Sequence, residues 1–156
     1  MKFSWNWLKD YVELDGISPQ DVANRLTMTV AELEGVEHIG AGLSDVLVGS
    51  LTKIAAHPDS ETLQVVTVDV GGRLVSGVSG APNLKVGMKV PVALPGATLP
   101  GDFNVQVSTI RGVESALVLL SERELGLSDD HSGVLELPAD VAPGAKLVDV
   151  LPVEDW

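Results

Sequence analysis

The chain has 156 residues, no cysteine and a formal charge of −12. Its length suits one domain, or one domain with an appendage, and a hydrophobic content of 45% is enough to fold it. The lack of cysteine excludes disulfides and cysteine-ligated zinc and fits a cytoplasmic setting; no apolar run reaches membrane-span length, and the charged start MKFSWNWLKDYVELDG makes a poor signal peptide.

Residues 1–39 read as helical. Ser18-Pro19-Gln20-Asp21 supplies an N-cap, a proline at the first helical position and an acid at the third. Val22 and Leu26 follow at helical spacing, and Trp5, Trp7 and Leu8 are expected to pack against this helix. From about residue 43 the texture changes to dense valine punctuated by glycine and proline. Val46–Ile54, Leu63–Val70 and Leu74–Val78 read as strands, with His57-Pro58-Asp59-Ser60 as a turn and Gly71-Gly72 as another. Apolar residues alternate through Val86, Met88, Val90 and Val92, and again through Phe103, Val105 and Val107, which marks strands with one buried face. Ser121-Glu122-Arg123-Glu124 is a capping box, and Gly126 ends the turn it starts. Gly133–Leu137 reads as a last strand, and Ala142-Pro143-Gly144 as a break before a short segment, Lys146–Leu151. Five or more short strands with one small helix predict a mainly β (α+β) chain: a five-stranded OB-type barrel behind a small helical N-terminal segment.

Catalytic signatures are missing. His38, His57 and His131 do not sit at metal spacing, and Asp129-Asp130-His131 reads as a solvated turn. No Gly-Lys-Ser/Thr phosphate cradle and no nucleophile elbow occurs. Gly77-Val78-Ser79-Gly80 is a weak glycine pair that a tight turn explains. The expectation is therefore no catalytic residue, no metal and no cofactor in this chain.

A nucleic-acid surface is the next candidate. The net charge opposes phosphate binding, but the acid is uneven. Between Lys53 and Arg123 six bases meet six acids, and the excess acid lies in the first 50 and last 33 residues. The barrel segment holds one aromatic residue, Phe103, expected on a buried strand face, which argues against base stacking. Recognition of a folded RNA by shape and phosphate contacts remains, with Lys85, Lys89, Arg111 and Arg123 as candidate contacts. Ordinary surface charges are the alternative.

Several stretches resemble one family. MKFSWNWLKDYVELDGISPQDVANRLTMTVAELEGVE is similar to the start of the β subunit of bacterial phenylalanine–tRNA ligase. HPDSETLQVVTVDVGG, VSGAPNLKVGMKVPVALPGATLPGDF and IRGVESALVLLSERELGLSDDHSGVLELP resemble the tRNA-binding (EMAP-like) OB domain inserted near that start. The resemblance implies a cytoplasmic α2β2 parent enzyme that joins phenylalanine to its tRNA with ATP and magnesium, its aminoacylation centre on the α subunit and its editing site further along β. It also implies three parts here: residues 1–39 as the first part of a split domain, 40–150 as the OB insert, and 151–156 as the start of the return, cut short at Trp156.

On the family's motif the implied tRNA-facing residues are Arg111, Ser115, Ser121 and Arg123, with Asn83 and Lys85. The sequence departs from the family at several points. After the RGVES box the family's acid-Gly-Met-Leu-Cys-Ser becomes Ala116-Leu117-Val118-Leu119-Leu120-Ser121. Bases that often follow the His-Pro turn are replaced by Thr62, Gln64 and Thr67, and the cysteine before Gly-Ala-Pro-Asn is Ser79. The expected function is a tRNA-binding module auxiliary to aminoacylation. A structural module of the β subunit with little RNA affinity is the alternative; a free-standing OB homodimer would not need residues 1–39.

Overall fold

A computed structural model describes residues 2–151, 153, 155 and 156 of the chain. They fall into two compact units, bounded as Met1–Gly40 with Val153–Trp156, and as Ala41–Pro152.

The first unit holds two helices, α1 (Trp5–Lys9) and α2 (Pro19–Thr29). Ser4 starts α1, its hydroxyl accepting the Trp7 N–H at 3.0 Å. The capping box predicted for α2 is present: Asp21 N–H donates to Ser18 Oγ at 3.1 Å, and the Ser18 N–H and hydroxyl both donate to Asp21 Oδ2. Helix covers less of this region than expected, because residues 30–38 run irregularly. Thr27, Thr29 and Val30 are β-branched and disfavour continuation. Ile39 instead pairs with Asp155 in an antiparallel bridge. Trp5 is buried, but Trp7 is 60% exposed and lies edge-on to Tyr11. Residues two apart on a helix point to opposite sides, so one core cannot take both tryptophans.

The second unit is built from β1 (Val46–Ala56), β2 (Gln64–Asp69), β3 (Leu74–Ser79), β4 (Lys89–Ala93), β5 (Thr98–Leu99), β6 (Phe103–Asn104), β7 (Ser108–Ile110), β8 (Val113–Ser115), β9 (Val118–Leu119) and a closing turn of helix, α3 (Leu147–Val150). Five strands form one antiparallel sheet in the order β3-β2-β1-β4-β9, flanked by the hairpins β5-β6 and β7-β8. β1 is long enough to pair with β4 through Val46–Ser50 and with β2 through Ser50–Ala56, and an irregularity between Leu51 and Lys53 bends it. Gly49 lies just before this irregularity, paired with Val90, where a Cβ would collide with Val68 and Val92. The sheet curls until β3 meets the segment after β8: Ala116 N–H donates to Ser76 O, and Val78 N–H to the Ser115 hydroxyl, each at 3.0 Å. This gives a nearly closed OB-type barrel filled by Leu51, Val66, Val68, Val90, Val92 and Leu117.

Three strand expectations change. Val86 is exposed and β4 begins only at Lys89. Of the alternating trio Phe103, Val105 and Val107, only Val105 is buried; Phe103 is 57% exposed, on a hairpin of two-residue strands. Residues 133–137 lie extended and bonded to the barrel, Leu135 N–H to Leu120 O and Leu137 N–H to Lys89 O, without forming a ladder. Gly77 is not in a turn. It lies within β3, opposite Val66.

Candidate nucleic-acid interface

Beside the closing seam of the barrel lies an open cleft of about 710 Å³. One wall is the end of β3 with Ser79 and Gly80, another the hairpin β7-β8 with Ser108 and Ile110, and a third the turn that carries Arg123. That turn is the predicted capping box. Ser121 N–H and Oγ–H both donate to Glu124 Oε2, at 2.7 and 2.8 Å, and Gly126 closes it with a φ of +70°. The box fixes the backbone under Arg123 and engages the Glu124 carboxylate. Next to it, Asp130 Oδ1 accepts the Ser132 N–H at 2.8 Å, and that bond holds the Asp130 carboxyl below its ordinary value. The rim near Arg123 therefore carries negative as well as positive charge.

A second, smaller cleft of about 560 Å³ lies between the His57–Thr62 turn and Arg111. Arg111 and Gly112 have φ values of +47° and +83°, so both central residues of the β7-β8 hairpin are left-handed, as a two-residue type I′ turn requires. His57, 4% exposed, ties this hairpin to the other turn. Its Nδ1 accepts the Asp59 N–H at 3.1 Å, which leaves the proton on Nε2 to donate to Ile110 O at 3.1 Å. Arg111 Nη1–H donates to Asp59 O at 3.1 Å, so the backbone of one residue, Asp59, links histidine and arginine.

The six predicted contact residues thus divide. Arg111, Arg123 and Lys85 are exposed. Among the described residues the one ion pair is Lys2–Glu37, in the first unit, so none of these three cations is in direct contact with a carboxylate. Ser115 and Ser121 are buried. The Ser115 hydroxyl bridges Val78 N–H and Leu117 O across the seam. Asn83 makes a two-way amide pair with Val134, donating to its O at 2.8 Å and accepting from its N–H at 3.0 Å. Ser115, Ser121 and Arg123 line the first cleft and Arg111 the second, whereas Asn83 and Lys85 line neither. Sequence reasoning missed His57 as a site residue. Its partner Ile110 is 53 positions away, and no local signal links them. Among the described residues no cluster of His, Cys, Asp or Glu could hold a metal ion, and no helix is long and apolar enough to cross a membrane.

Residues 46–146, which include the barrel and both clefts, match the family model described as "Putative tRNA binding domain". The chain belongs to this tRNA-binding-domain family. Similarity extends beyond the matched domain. The phenylalanine–tRNA ligase β subunit of Desulfotalea psychrophila is 42% identical over 155 residues, covering 99% of this chain and 19% of that protein. The β subunit from Dickeya dadantii is 44% identical over 156 residues, covering 99% of this chain and 20% of that protein. The chain spans about a fifth of the length of these relatives. A crystal structure of a MetRS-related protein from Pyrococcus horikoshii aligns with 65% of this chain and 87% of its own, with a TM-score of 0.49 and 20% identity.

Proposed function

We propose that the barrel is an auxiliary tRNA-binding module of a phenylalanine–tRNA ligase β subunit. The observation that carries this reading is the placement of Arg111 and Arg123 on two rigid turns beside adjoining clefts, within the matched tRNA-binding domain. The fold holds the backbone of both turns, and the bond to Asp59 O also holds the Arg111 guanidinium, so both arginines are offered to a phosphate backbone from set places on the surface, with Lys85 as a further charge. Ser115, Ser121 and Asn83 act indirectly. They shape the seam, the Arg123 turn and the 83–134 contact, which serves shape recognition of a folded RNA.

On the same reading residues 1–39 and 151–156 belong to a domain that the barrel interrupts. The α subunit of an α2β2 cytoplasmic enzyme is the protein partner, and ATP and magnesium serve the parent enzyme, not this chain. The alternative is a structural module with little RNA affinity, favoured by the −12 charge and by the commitment of Ser115, Ser121 and Asn83 to internal hydrogen bonds. Anisotropy titration of the chain into labelled tRNA at roughly 50 and 150 mM salt separates the two. Binding that weakens steeply with salt supports the tRNA module, and no binding at either salt leaves the structural one.

A further inference from the structure

The barrel unit has one aromatic side chain, Phe103, and it is not in the core. It is 57% exposed, whereas Leu99, directly opposite it on β5, and Val105, two residues on, are both buried. A lone exposed apolar residue needs no explanation by itself; the mounting of this one does. Asp102 before it has a φ of +59° and Gly101 a φ of +80°, so two consecutive left-handed residues fix the direction from which the phenyl ring emerges. Thr98 Oγ1 donates to Asn104 Oδ1 across the hairpin at 3.0 Å. The strand ends are locked by Gly96 N–H to Val105 O and by Val105 N–H to Ala97 O, each at 2.9 Å. The ring is thus presented on a short, rigid tip.

That tip adjoins the proposed RNA site. A Cβ at Gly126 would lie 3.8 Å from Pro100 Cβ, so the hairpin that carries Phe103 packs against the turn that carries Arg123. An exposed aromatic ring on a hairpin that touches a cation-bearing turn suits the way proteins hold unpaired nucleotides, in which a ring stacks on a base and a cation meets a phosphate nearby along the strand. We propose that Phe103 is a stacking platform for an unpaired base of the bound RNA, so that the module reads a single-stranded element of tRNA as well as its backbone. The inference rests on the tRNA-binding reading. It replaces the expectation, drawn from a buried Phe103, that base stacking has no part.

The test uses the full chain with labelled tRNA and with a short single-stranded RNA containing 2-aminopurine. Phe103→Leu keeps an apolar side chain of similar reach and removes the π face; Phe103→Trp keeps the face. The expected result is a loss of about five-fold or more in affinity for Phe103→Leu, the low end of the range for one stacked base, and no such loss for Phe103→Trp. The salt slope should stay unchanged in both, because no phosphate contact is lost. The wild-type chain and Phe103→Trp should quench 2-aminopurine, and Phe103→Leu should not. Position 103 is exposed, so thermal unfolding should match wild type; if Phe103→Leu unfolds early, the quenching comparison between wild type and Phe103→Trp decides. Wild-type binding with an equal affinity in Phe103→Leu overturns this proposal alone and leaves the tRNA-binding reading standing. Wild type that binds neither RNA overturns the tRNA-binding reading and this proposal with it.

Discussion

Leu117 occupies the space that a side chain at residue 77 would need. A Cβ on Gly77 would lie 2.6 Å from Leu117 Cγ and 2.8 Å from Ser115 Oγ. The leucine that stands where the resembled family has glycine therefore packs over a glycine in the facing strand. Gly77→Ala forces those side chains aside and should cost about 1–3 kcal/mol. Adding Leu117→Ala removes the largest clash, so the double variant should be less destabilised than the sum of the singles. Urea unfolding followed by far-UV circular dichroism measures both effects. Additive losses would show that the two positions do not share one volume.

His57 joins two turns that are remote in sequence. His57→Ala leaves the Ile110 carbonyl and the Asp59 N–H without their histidine partner; Asp59 is exposed and Ile110 half-buried, so water replaces part of each bond and the cost is that of an ordinary hydrogen bond, about 0.5–1.5 kcal/mol each. The expected effect is local: amide exchange should accelerate at Asp59 and in the β7-β8 hairpin, with β1 and β4 little changed. Arg111 would lose its fixed base in the same variant, so tRNA affinity should fall toward that of an Arg111 variant. Unchanged exchange at Asp59 would rule out the histidine link.

The barrel was legible where a buried face and a long ladder coincide. The valines of β1, β2 and β4 alternate because these strands pair over five or six residues and pack one side inward. The same alternation at 103–107 misleads, because β6 pairs with β5 over only two residues and no ladder carries the pattern inward. The capping boxes at Ser18 and Ser121 were readable because both partners lie within four residues. The His57–Ile110, Asn83–Val134 and Gly77–Leu117 relationships were not, since each joins positions at least 40 residues apart and depends on how the sheet curls. For the same reason charge and motif alone picked out Arg111 and Arg123, and only burial separated them from Ser115 and Ser121.

Asp155 supports the first unit at the start of α1. Burial opposes its charged form, but hydrogen bonds from Ser4 and from the N–H groups of Asn6 and Trp156 outweigh that and hold its pKa below the usual carboxylate value. A carboxyl with a depressed folded pKa contributes stability above the unfolded value, near 3.9, and loses it as pH falls through the folded value. The first unit should therefore loosen on acidification below about pH 4. All three tryptophans, Trp5, Trp7 and Trp156, lie in this unit, so their emission follows it without interference from the barrel. Asp155→Ala should show the loosened spectrum already at neutral pH and respond less to acid. An identical acid response in the variant would remove Asp155 as the cause.

Arg111 allows the fold and the RNA contact to be tested apart. Its left-handed backbone is costly for arginine and well tolerated by asparagine. Arg111→Asn should therefore keep the hairpin, with an unfolding midpoint equal to or above that of wild type despite the lost bond to Asp59 O. If the arginine meets a phosphate, the same variant should weaken tRNA binding and lower the slope of log affinity against log salt by about 0.7–0.9. Combined with Arg123→Ala, on the neighbouring turn, the slope should fall by about twice that amount, since each side chain neutralises its own phosphate. Among the described residues the Arg123 side chain makes no hydrogen bond or ion pair and lies exposed on the cleft wall, so stability should not follow the second change. A slope unchanged in the double variant, with wild-type stability, would place the RNA contact elsewhere on the barrel.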